Sequence, residues 1–267
     1  MESGVRDHPA SNIEYKLGHI SMKINNKAGQ SPKTKPDNGS VSENMVDQSQ
    51  KTFYKLGGVI AFVLAAITLT QFVAFMVAPP PLNGTALDWF TFFEKNRLFG
   101  LLGFELLMVV YVLLSSLLAL SLFFALRKVN QSFMAIFLTL SFIGAVSFIA
   151  ARPVFEMLSL SNQYAAATTD AQRAALLAAG EGMIAAFHGT SFHISYVLGS
   201  ISGLILSHVM LKSDIFTKKT AYLRIASSIF DFGIYVPAIG IFISIFSVFF
   251  LLAFNILVGR RLLQLSR

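Results

Sequence analysis

Residues 222–259 read YLRIASSIFDFGIYVPAIGIFISIFSVFFLLAFNILVG, a run whose charged members are Arg224 and Asp231 alone. Drawn as one helix it would measure ~57 Å at ~1.5 Å per residue, nearly twice the ~30 Å of hydrocarbon in a bilayer. It must therefore turn back, and Pro237 and Gly240 are the breakers near its middle. This predicts two spans, 222–239 and 241–258, joined by a tight hairpin. A chain that left the membrane at that hairpin without returning would have five spans and its ends on opposite sides.

Working outward, the same length argument finds four more spans, at about 56–78, 98–126, 133–151 and 183–211. Pro79, Pro80 and Pro81 stop the first, Arg127 and Lys128 the second, Arg152 and Pro153 the third, and Lys212 the fourth. The fold class is all-α, a polytopic helical membrane bundle of about six transmembrane helices. Between the first two spans Trp89, Phe90, Phe92 and Phe93 mark a segment expected to lie along the interface. Between the third and fourth, Thr169 and Gln172 have capping-box spacing and Gly180 is placed to end a short extramembrane helix.

Composition agrees. The 267 residues are 54% hydrophobic and only 13% charged, too apolar for a soluble domain. Residues 1–50 are polar, rich in Ser, Asn, Lys and Gly, and lack any apolar period, so a disordered cytoplasmic tail is expected before a membrane domain at 51–267. The apolar run at Leu56 is too far from the start for a cleaved signal peptide. With no cysteine, disulfides and thiolate chemistry are excluded.

The net charge of +7 does not indicate a nucleic-acid partner, because the basic residues past position 50 flank the apolar runs instead of forming a patch. They order the topology. With the N-terminus inside, Lys51, Lys55, Arg127, Lys128, Lys212, Lys218, Lys219, Arg224, Arg260, Arg261 and Arg267 are cytoplasmic, against Lys95, Arg97, Arg152 and Arg173 outside. The positive-inside rule then puts both termini in the cytoplasm of a multi-pass cell-membrane protein. The two halves show no convincing inverted repeat of the kind many transporters carry.

Ionisable side chains within spans are costly and normally face protein or a water-filled cavity. The candidates are Glu105, His188, His193 and Asp231. Counted from the outer ends of their spans they lie at depths of ~10, ~9, ~16 and ~12 Å. Three helices thus bring their ionisable groups to one layer, which suggests an outward-half pocket for a cation, protons or a small polar solute. On span five, Arg224, Ser227, Ser228, Asp231 and Tyr235 form one polar stripe. On span four, Glu181, His188, Ser195 and Ser202 recur every seven residues.

Structural roles compete with each of these. Glu105 is near enough to the interface to snorkel or to pair with a histidine, and Asp231 could have a purely structural partner. His188 and His193, five apart, lie about 140° apart around a helix, which argues against a shared metal. Neither metal nor cofactor is indicated. Gly199 and Gly203 have the small-xxx-small spacing that admits another helix, from this chain or from a second copy in a homo-oligomer. Gly189-Thr190-Ser191 beside two histidines lacks the strand-turn-helix setting of a nucleophile elbow, so a ligand-binding membrane protein or a structural, partner-binding subunit is favoured over an intramembrane hydrolase.

The stretch AAGEGMIAAFHGTSFHISYVLGSISGLILSHVMLKSDIFTKKTAY at 178–222 and the ending ILVGRRLLQL at 256–265 resemble the prokaryotic membrane family catalogued as domain of unknown function 4386. The resemblance covers about four-fifths of the chain, from about Lys55 onward. It implies a multi-span cell-membrane protein and brings no activity, substrate or catalytic residue with it.

Overall fold

Breakers and caps cut the chain into more helices than spans. In the computed structural model, which describes residues 38–267, these are α1 (Asn38–Val77), α2 (Ala86–Lys95), α3 (Arg97–Gly103), α4 (Leu106–Leu126), α5 (Gln131–Ala150), α6 (Val154–Ala166), α7 (Asp170–Phe187), α8 (Thr190–Leu211), α9 (Lys218–Asp231) and α10 (Gly240–Leu265), with a 3-10 turn at Phe232–Tyr235. Among the described residues there is no strand. The tail expected to be disordered lies, up to position 37, outside the described residues.

Five helical stretches are long and apolar enough to cross a membrane: Gln50–Val77, Leu106–Leu126, Gln131–Ala166, Asp170–Leu211 and Phe242–Leu265. The expected span at 222–239 is not among them. Its α-helix has 14 residues and carries Arg224, Ser227, Ser228 and Asp231, which lower its hydropathy. The hairpin itself falls where Pro237 and Gly240 put it, with Ala238 at a φ of 67° and the Ile239 N–H donating to the Pro237 carbonyl at 2.8 Å.

Six helices form a ring. Helix α4 packs on α5, α5 on α8, α8 on α9, and α9 on α10. Helix α1 closes it, because Gly58 and Gly259 bring the backbones of α1 and α10 together and the Ser121 hydroxyl of α4 donates to the Phe53 carbonyl of α1 at 2.9 Å. Ile60, Leu64, Leu122, Leu126, Phe137 and Val258 belong to this ring's core.

The 36 residues of 131–166 and the 42 of 170–211 would run ~54 and ~63 Å, far more than a bilayer needs. The surplus folds into a cap. Helices α2, α3, α6 and α7 pack around a second core containing Trp89, Phe90, Phe93, Phe104, Met157 and Phe187. The aromatic segment expected along the interface is therefore turned inward: Trp89 is 2% exposed, and each such ring contributes ~1.5–3 kcal/mol by leaving water. Thr169 caps α7 as its spacing predicts, but α7 does not stop at Gly180. That glycine instead lets α7 approach Ala86 and Phe90 of α2.

Candidate functional site

At the centre of the ring is a partly open cavity of about 310 Å³ to which all six helices contribute, among them Leu64, Tyr111, Phe148, Ser200, Arg224, Asp231 and Asn255. Most of its wall is apolar. Its charged members, Arg224 and Asp231, stand seven residues apart on one face of α9, as the stripe predicts.

Arg224 crosses to α8, donating to the Gly199 carbonyl and to Ser227 Oγ at 3.3 Å each. It can cross because Gly203 has no side chain: a Cβ there would collide with the guanidinium and with Ser228. The glycine spacing is thus used within the chain, with Gly203 against α9 and Gly199 facing space in the cavity wall. Asp231 is approached by Ser247 of α10 and closes no ion pair with Arg224. Asn255 of α10 donates to the Tyr111 hydroxyl of α4 at 3.4 Å across the ring. Ser200, 1% exposed, lines the cavity with a hydroxyl that has no partner.

Of the four residues expected to share a pocket, only Asp231 lines this cavity. Glu105 is not inside a span but at the break between α3 and α4, with a φ of 65°, and its carboxylate accepts from Arg152 Nε at 2.7 Å. Arg152 sits at the break between α5 and α6, its side chain 1% exposed. It donates to the carbonyls of Ala151 and Phe187 at 3.2 and 3.3 Å, and its guanidinium stands 4.2 Å from the ring centres of both Phe148 and Phe187.

Arg152 therefore joins three interrupted helices, because the third break, at His188 and Gly189, follows Phe187 directly. Breaking a helix frees carbonyls that hydrocarbon cannot satisfy, so such breaks need protein donors. Gln71 of α1 serves the α3 break likewise, donating to the Leu102 carbonyl at 2.9 Å.

The histidines lie near this joint, away from the cavity wall. His188 is exposed at the end of α7, edge-on to Phe187 with ring centres 5.0 Å apart. His193 is exposed too, its Nδ1 3.3 Å from the Tyr235 hydroxyl. The break also divides the seven-residue repeat: Glu181 belongs to the cap, accepting from the Ala86 N–H at 2.7 Å, while Ser195 and Ser202 line the cavity. Thr190 and Ser191 open α8, and neither hydroxyl bonds to a histidine. Among the described residues no group of three His, Asp or Glu side chains is arranged to hold a metal.

Two contributors, Arg152 and Asn255, lie outside the sequence expectation, and Arg224, a member of the expected stripe that also counted as a cytoplasmic flank, is half-buried in the cavity wall. Arg152 passed for a boundary residue. Asn255 is not ionisable, yet a polar residue in the run FLLAFNILV carries the same signal.

No protein-family model, no curated protein and no solved structure matches this chain.

Proposed function

We propose that this is a multi-pass cell-membrane protein, with both termini cytoplasmic, that binds a small polar solute in the central cavity as the recognition part of a sensor or transporter. The observation that carries this reading is the presence of both Arg224 and Asp231 in the wall of a cavity surrounded by a largely apolar ring. Ionisable groups at such depth are retained for a ligand or a partner, and these two make no pair with each other.

A sixth crossing follows if α9 and its 3-10 turn act together. Fourteen α-helical residues and four at ~2.0 Å each reach ~29 Å, close to the ~30 Å required. The basic residues support the orientation even without Arg224, which leaves ten of the eleven inner ones. The resemblance to domain of unknown function 4386 belongs to this proposal and adds no chemistry to it.

The test is a thermal-shift screen of small cations, anions and polar neutral solutes on the protein purified in detergent. A hit that stabilises the wild type and is lost in Asp231→Asn supports the reading. Hits that survive both Asp231→Asn and a Gly199→Met filling of the cavity would place binding elsewhere.

A further inference from the structure

Two opposite charges held apart in a cavity specify more than polarity. The Cα atoms of Arg224 and Asp231 are separated by seven residues, ~10.5 Å along α9. The guanidinium leans toward Asp231, since it bonds to Ser227 three residues on, about 4.5 Å along the axis. This leaves a gap on the order of 6 Å between guanidinium and carboxylate.

Neither charge can easily close that gap. Arg224 is tethered by the Gly199 carbonyl and Ser227, and Asp231 has Ser247 at its side. Opposite charges in a low-dielectric site attract strongly, so keeping them unpaired leaves both ready for a partner of complementary charge. The remaining N–H groups of a guanidinium form a fork suited to a carboxylate, and a carboxylate accepts well from an ammonium.

We infer that the ligand is a compact zwitterion of the amino-acid type, its carboxylate on Arg224 and its ammonium on Asp231. This rests on the binding cavity proposed above. Ligand charges about 3–6 Å apart suit the gap, and Ser200 Oγ, buried in the same wall without a partner, offers one more hydrogen bond. About 310 Å³ holds roughly ten waters at ~30 Å³ each, which is ample for such a molecule and a few retained waters. The open space beside Gly199 leaves room next to the guanidinium.

Isothermal titration on the full-length protein in detergent tests this with glycine and γ-aminobutyrate as zwitterions and propylammonium and butyrate as singly charged controls. At least one zwitterion should bind tenfold or more tightly than either control. Asp231→Asn should weaken zwitterion and propylammonium binding at least tenfold and spare butyrate. Arg224→Gln should weaken zwitterion and butyrate and spare propylammonium, with Arg224→Lys partly restoring both.

The wild-type comparison needs no variant to fold. If a control binds as tightly as the zwitterions and Gly199→Met abolishes that binding, the zwitterion assignment is wrong while the cavity remains a binding site. If none of the four binds at millimolar concentration, the assignment falls, and the broader screen alone decides the cavity.

Discussion

Replacing Arg152 with methionine should destabilise the protein by about 3 kcal/mol, the lower end of the ~3–5 kcal/mol typical when one member of a buried ion pair is removed. The lower end applies because the Glu105 side chain is 22% exposed and can be hydrated in part once its partner is gone. Two further losses act in the same direction: the carbonyls of Ala151 and Phe187 lose their donor, and two aromatic rings 4.2 Å from the guanidinium carbon lose a cation worth ~0.5–2 kcal/mol each. Methionine keeps much of the volume, so a void is not the cause. Glu105→Gln should also cost about 3 kcal/mol: the amide oxygen still accepts from Arg152 Nε, but the guanidinium, its side chain 1% exposed, is left without a counter-charge. The double variant Arg152→Met with Glu105→Gln should be more stable than the two single losses summed, by ~1–2 kcal/mol, because neither charge is then left alone. Equilibrium unfolding in mixed micelles with rising dodecyl sulfate, followed by far-ultraviolet circular dichroism, measures all three. A single Arg152→Met variant within ~0.5 kcal/mol of wild type, or strict additivity in the double, would refute the claim that this pair joins the broken helices.

The two glycines of α8 should behave oppositely: Gly203→Val, driven into Arg224 and Ser228, costs ~1–3 kcal/mol by overpacking, whereas Gly199→Ala, with nothing within 4 Å of its Cβ, leaves the melting temperature nearly unchanged. Trp89, buried among Phe92, Phe93 and Phe104, should emit as an indole in apolar surroundings and resist iodide quenching; ready quenching would contradict the cap core. The Thr85 backbone N–H, and then its hydroxyl, hold the exposed Asp88 carboxyl below its usual range. A lowered folded value means the cap's contribution is complete above the ordinary carboxylate range and is lost as pH falls through the depressed value, so amide protection in α2 should decline in that direction and not on the alkaline side. Reporters fused to the two ends should give signals from the same side; opposite sides would leave α9 short of a crossing.

Apolar run length made the bundle legible in the sequence, because the membrane sets one dimension that any span must meet. At Pro237 and Gly240 the breakers mark a turn, while whether the chain crosses before it stays open between five spans and six. The cap was legible only in part: Thr169 and Gln172 mark an extramembrane helix after the third span, but the breaks at Glu105 and His188 involve no proline. They depend on Arg152, a tertiary partner 47 residues from Glu105. Asp231, where the helix is regular up to that residue, lines the cavity. For Glu105 and His188 the count of ~1.5 Å per residue presumes an unbroken helix, whereas both stand at helix breaks.

Because α1 and α10 meet at Gly58 and Gly259, the ring joins the first long helix of the chain to the last. During synthesis the matching groove on α1 must therefore stay open until α10 has been made. A product truncated ahead of α10 would keep every other helix and still leave that flank unsealed.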